Sequence, residues 1–297
     1  MDFERHFLDN NIFLMQCSVS ERLADEYGKA PDPFFGYADI IYDEEGNTEL
    51  MQLYDEYASV ARAYELPILL LTPTEHITEG GTHSPSRLEK VLADNIIQLR
   101  YFPASTATNA YIGGHMPRAQ RLFSDGAQAE EYHSRTAALF AEAGADFLYS
   151  GAIDTVTEAV GIARAMENSG LPYIVAIRPT AEGRLADGSS IADTISITDG
   201  SVVRHPLCYM ADGIEPKALY EALAKPFNNT VAVKKRFQGV KAASAPPRVS
   251  RDGTRRVVHP FMFEMDIHNL SDFINLKVIG GSHGTDSTHL EEIAKRL

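Results

Sequence analysis

Two reactive side chains stand where apolar runs end in turns. Cys17 closes the run 12–17, and His283 follows Lys277-Val278-Ile279-Gly280-Gly281-Ser282. A cysteine beside a histidine can form a nucleophilic pair in which the imidazole takes the thiol proton. The same two groups could instead supply two ligands of a metal site. The plain packing alternative makes Cys17 a small buried apolar residue and His283 a hydrogen-bonded turn residue. His76 and His115 also follow apolar runs. With His283 they would give an imidazole-rich site for a metal other than thiolate-bound zinc, whereas each alone reads as a surface or satisfied histidine. Thr72 and Thr74 can hydrogen-bond a ligand at the end of the run 67–72, although threonine is also common in strands. Cys208 lies five residues before Gly213, so strand alternation puts it on the opposite face, against an outer helix.

These groups need elements that bring them together. Apolar runs at 12–17, 67–72, 110–114, 146–150, 173–178, 206–211, 231–235 and 277–280 read as strands. Several lack alternation, as expected of parallel strands covered on both faces. Helical patterns fall between them at 48–64, 85–101, 129–143, 155–168 and 285–297. Thr155 with Glu158 three residues on reads as a capping box. Eight strands with intervening helices predict one (β/α)8 TIM barrel over residues 1–297, rather than an open sheet. No dinucleotide-binding glycine fingerprint follows the first strand. Closure makes strands one and eight neighbours, which would place Cys17 near His283. Polar loops at 75–86 and 241–259 would shape the active-site face.

Composition narrows the partners. The net charge of −14, from 41 acidic and 27 basic residues, argues against nucleic acid or an anionic membrane. Lys234-Lys235-Arg236 reads as a solvated strand end. No run reaches the roughly 20 apolar residues that span a bilayer, and no leader pattern is apparent. Two cysteines make no disulfide scaffold, so a reducing cytoplasm is the simplest setting. The expected partner is a small-molecule substrate. A homo-oligomer is compatible with an acidic barrel, but no interface signal marks one.

Several motifs recur in an order that resembles one family. Leu14-Met15-Gln16-Cys17-Ser18-Val19-Ser20-Glu21-Arg22-Leu23 is similar to its first strand and turn. Ala143-Gly144-Ala145-Asp146 matches a stretch before strand four, and Gly183-Arg184-Leu185-Ala186-Asp187-Gly188 one after strand five. Pro206-Leu207-Cys208-Tyr209-Met210-Ala211-Asp212-Gly213 resembles Pro-x-x-Tyr-Met-x-Asn-Cys, and Gly280-Gly281-Ser282-His283-Gly284-Thr285 resembles Gly-Gly-Cys-Cys-Gly-Thr. The family is that of the homocysteine S-methyltransferases, of the betaine–homocysteine type.

The resemblance implies a barrel with its site at the C-terminal strand ends, where three cysteines hold a zinc that turns homocysteine into a thiolate. Here those positions are Gly213, Ser282 and His283, so the standard three-cysteine site is absent and the cofactor is unknown. Gln16 and Cys17 replace the first strand's acid and glycine. Glu21 matches an acid beside the substrate and would bind an amino group, or simply favour a helix N-terminus. Asp212 replaces an asparagine and could act as base, ligand or loop cap.

The expected site therefore has Cys17, His283 and Asp212 as catalytic groups, with Gln16, Glu21, Thr72, Thr74, His115, Gly213 and Ser282 around the substrate. The leading expectation is methyl transfer to a small thiol or amino-acid acceptor. A catalytically inactive ligand- or partner-binding barrel, and Cys/His lyase or hydrolase chemistry, stay open beside it.

Overall fold

The computed structural model describes residues 2–9, 12–78, 84–102, 109–245 and 257–297. Eight parallel strands close in sequential order into a (β/α)8 barrel. They are β1 (Phe13–Met15), β2 (Ile68–Leu71), β3 (Ala110–His115), β4 (Phe147–Ile153), β5 (Tyr173–Ile177), β6 (Tyr209–Asp212), β7 (Phe237–Ala242) and β8 (Val278–Gly281). The helices are α1 (Phe3–Leu8), α2 (Ser20–Tyr27), α3 (Glu44–Ala63), α4 (Pro85–Tyr101), α5 (Gly126–Glu142), α6 (Val156–Asn168), α7 (Ile191–Asp199), α8 (Pro216–Ala224), α9 (Val231–Arg236), α10 (Pro260–Phe273) and α11 (Ser287–Ala294). No helix among the described residues is long and apolar enough to cross a membrane.

The uninterrupted apolar runs hide a period of two. Phe13, Met15, Leu69, Leu71, Ile174, Ala176 and Met210 fill the barrel interior. Their neighbours Leu14, Ile68, Leu70, Val175 and Ala211 face the helix layer. Both sets are buried, which is why no polar residue interrupts the runs. The short helix α1, unexpected from the sequence, closes the N-terminal end. Phe3 packs on Phe13, Tyr111 and Phe147 with ring centroids 5.7, 5.0 and 4.7 Å away. Lys277 Nζ donates to the Phe7 carbonyl at 3.0 Å.

Three sequence expectations need correction. Residues 231–235 are not the seventh strand but lie in α9. Thr230 caps that helix by accepting from the Val233 amide, and its last turn holds Lys234, Lys235 and Arg236. Those cations suit the negative end of a helix dipole. The strand is the next segment, β7, whose apolar signal is broken by Gln238, Gly239 and Lys241. Cys208 is the second correction, since it packs inside the barrel with Ile174, Ala176 and Met210 rather than under a helix. Third, Thr155 caps α6, but Glu158 turns to His133 at 3.4 Å, so the box is only half formed. In the two polar loops, residues 79–83 and 246–256 lie outside the described residues.

Candidate active site at the barrel mouth

The inward positions nearest the C-terminal strand ends are polar, and they line one cleft of about 370 Å³. On β6 the interior sequence Cys208, Met210 ends in Asp212, which is 7% exposed. Tyr149 Oη donates to Asp212 Oδ2 at 2.8 Å. Burial pushes the Asp212 carboxyl upward. The Lys241 ammonium, His115 and the Tyr149 and Ser282 hydroxyls outweigh it and hold the group below the usual carboxylate range. Lys241 pairs in register with Asp212 across β6 and β7.

His115 ends β3 inside the same mouth. Its Nδ1 lies 3.6 Å from Glu75 Oε2, and its ring stands edge-on to Tyr149. Burial lowers its pKa to about 4, with Glu75 opposing. For Glu75 burial works upward, but His115, His76 and the Ser20 hydroxyl pull it below its usual range. The mouth therefore places His115 between two buried carboxylates.

At the β8–β1 side, Glu21 on α2 reaches over the turn after β8. Its Oε2 lies 3.2 Å from His283 Nδ1, and its Oε1 accepts from the Gly284 amide at 2.9 Å. Gly213 faces this pair. A Cβ built there would lie 3.9 Å from His283 Nε2 and 4.0 Å from Ser282 Oγ. Positions 213, 282 and 283 thus converge, and Gly213 has φ +79°, a conformation that costs any side chain about 1–2 kcal/mol.

The other expected residues are placed as follows. Cys17 borders the cleft but is fully buried, packed with the layer between strands and helices. Its thiol bonds Thr285, and burial raises its pKa to about 12. Among the described residues no hydrogen bond joins it to His283. That contradicts the expected Cys17–His283 dyad, because the thiol is desolvated and the imidazole is committed to Glu21. Thr72 and Thr74 share a 2.8 Å hydroxyl contact. Thr72 Oγ1 accepts from the His115 amide and Thr74 Oγ1 donates to the His115 carbonyl. Both hydroxyls are spent on β3 rather than facing the cleft. Gln16 lines the cleft, but its Oε1 accepts from the Leu71 amide at 2.7 Å. His76, His115 and His283 do not form one imidazole cluster. Among the described residues no group of three or more His, Cys, Asp or Glu is placed to hold a metal ion.

Glu75, Lys241, Arg118, Arg178 and Tyr149 were not singled out from the sequence. Arg178 had a legible signal, a cation at the C-terminal end of an apolar stretch, whereas Lys241 lies in a strand whose apolar pattern is broken. Glu75 and Arg118 lie in irregular segments and had none.

A family model described as Homocysteine S-methyltransferase matches residues 76–297. The chain belongs to that family. No curated protein matches it by sequence. The homocysteine methyltransferase MmuM from Escherichia coli is similar in structure in its metallated form, with TM-score 0.76, 12% identity and 99% of each chain covered. Its oxidised form gives 0.73 at 14% identity, again over 99% of each chain. A putative alpha-L-fucosidase from Bacteroides thetaiotaomicron gives 0.55 at 12% identity, over 97% of this chain and 92% of the other. At these identities the structural likeness concerns the barrel. Gly213, Ser282 and His283, where the resemblance led us to expect cysteines, converge at the mouth.

Two outcomes follow from the buried groups. Both thiols, Cys17 and Cys208, are raised to about 12 by burial, so a disulfide reagent at pH 8 should label neither in the folded protein and both after denaturation. One rapidly labelled native thiol would return Cys17 to the list of nucleophiles. The second concerns acid. The unfolded chain protonates His115 near pH 6.5, whereas the folded chain resists until about 4. Stability is therefore whole above 6.5 and falls as pH drops toward 4, by roughly 3 kcal/mol from this ring. The urea midpoint should fall across that window, and His115→Gln should flatten the fall. Equal slopes in both proteins would contradict the assignment.

Proposed function

We propose that this protein transfers a methyl group to a small thiol or amino-acid acceptor, and that His283 supplies the base which zinc-bound thiolate chemistry makes unnecessary elsewhere in the family. The observation that carries this reading is the Glu21–His283 pair. A carboxylate at Nδ1 favours the tautomer with hydrogen on that nitrogen and the lone pair on Nε2. Nε2, with Cδ2, forms the ring edge that faces Gly213.

The three family cysteine positions do not fit a zinc–thiolate centre. Gly213 offers no donor atom. The Ser282 hydroxyl is held by Asp212, and His283 Nδ1 by Glu21. Zinc that activates a thiol is typically held by three side-chain ligands, with soft sulfur favoured. The proposed reaction therefore proceeds without a metal. The acceptor X–H gives its proton to His283 Nε2 as X attacks the methyl carbon of a sulfonium or betaine-type donor. The bond from methyl carbon to sulfur or nitrogen breaks, and its electron pair leaves with a neutral thioether or amine. The Lys241 ammonium in the same mouth favours negative charge on the acceptor. The two free, buried thiols suit a reducing compartment such as the cytoplasm.

The test is turnover by the full chain of L-homocysteine and related thiols with a methyl sulfonium amino acid or glycine betaine, followed by mass spectrometry. His283→Gln should lower kcat by about 10²–10⁴. Glu21→Gln should lower it less, since the ring is kept and only its orientation is lost. An unchanged rate in His283→Gln overturns the base assignment. Tight binding without turnover across the panel favours the ligand-binding barrel instead.

A further inference from the structure

The lip of the cleft across from His283 is built by β4, β5 and the segment after β3, and it carries two arginines. Arg178 follows β5 directly, and its Nε and Nη2 donate to the two oxygens of Asp154 at 2.9 and 2.6 Å. Arg118 Nη2 donates to the same carboxylate at 2.5 Å. The backbone fixes all three residues. The Arg178 amide bonds the Ile153 carbonyl, the Ala186 amide bonds the Asp154 carbonyl, and the Arg118 amide bonds the Glu75 carbonyl.

Two guanidinium groups on one carboxylate leave one positive charge unmatched. Among the described residues no partner meets Arg178 Nη1 or the Nε and Nη1 of Arg118. Both side chains line the same cleft as Asp212, Gly213 and His283. They are 31% and 48% exposed, so a ligand can reach them, while Asp154 holds them in place. The nearby carboxylate of Glu75 is engaged by Ser20, His115 and His76, which leaves the outer face of the arginine pair for a ligand anion.

We propose that Arg118 and Arg178 form a carboxylate subsite, so that a substrate of this protein is a small acid. Its carboxylate docks at the β4–β5 lip while its reacting atom reaches the β6–β8 side. Planar guanidinium groups suit this task, because paired N–H donors match the two carboxylate oxygens. The role of that acid as methyl acceptor or methyl donor rests on the methyl-transfer reading, but the subsite does not.

Titration calorimetry of the full-length protein tests it with matched probes: L-homocysteine against its carboxamide, and glycine betaine against its amide. The expected result is about tenfold tighter binding of the acid in at least one pair. The pair that discriminates shows whether acceptor or donor carries the carboxylate. Arg118→Gln and Arg178→Gln should each cut that ratio severalfold with amide affinity unchanged. His283→Gln should leave the ratio intact. Should Arg178→Gln fail to fold because Asp154 loses its main partner, Arg118→Gln alone is decisive. Equal binding of acid and amide in both pairs overturns the subsite, as does a full ratio in Arg118→Gln. Discrimination without methyl transfer would sink the proposed reaction while leaving the subsite standing.

Discussion

Closure of β1 against β8 is the constraint on which the candidate site depends. Met15 pairs with Gly280 in that register, and a Cβ on Gly280 would lie 2.5 Å from the Met15 carbonyl oxygen. A Cβ on Gly281 would likewise strike the Thr285 hydroxyl and the Cys17 sulfur. Two glycines in succession let the last strand seat closely on the first, and close packing of this kind tolerates little added volume. The seating brings α2, which follows β1, over the turn that follows β8. Glu21 can then hold His283 and Gly284 together. Without that closure the imidazole would have no orienting carboxylate and no fixed place beside Gly213.

The mouth shows how charge is kept in a site that is mostly protein. Asp212 and Glu75 are buried acids, yet both remain below their usual range because each has cations or hydroxyls at hand. His115 between them is lowered by its own burial, against the pull of Glu75. A buried imidazole cation would cost more than its carboxylate neighbours return. The thiols illustrate the same rule. Burial raises both to about 12, and neither the Thr285 hydroxyl at Cys17 nor the cations near the two sulfurs offset it.

The barrel was legible because strands covered on both faces must be apolar at every position, and β2 and β5 are. β7 was not, since its inward positions are Gly239 and Lys241, while Val231 and Val233 imitate strand alternation inside a capped helix. Cys208 was put on the wrong face because the alternation was counted from Gly213, which lies beyond the strand in a left-handed turn. Counting from Met210 gives the interior. His283, Asp212, Gly213 and Ser282 could be placed at the mouth from their positions after strands. Thr72 and Thr74 lie at the correct height, but a hydroxyl's partner is set by tertiary packing, and both serve the His115 backbone. Glu75 and Arg118 reach the cleft from irregular chain, where no periodicity signals direction.

The central claim is that a carboxylate-oriented imidazole stands where the family places a zinc–thiolate centre. The metal content of the untagged protein, purified without chelators, tests it most directly. The account predicts zinc well below one equivalent per chain, with no change on mutating His283. Near-stoichiometric zinc that is lost in His283→Gln would contradict it, because His283 would then be a ligand and not a base.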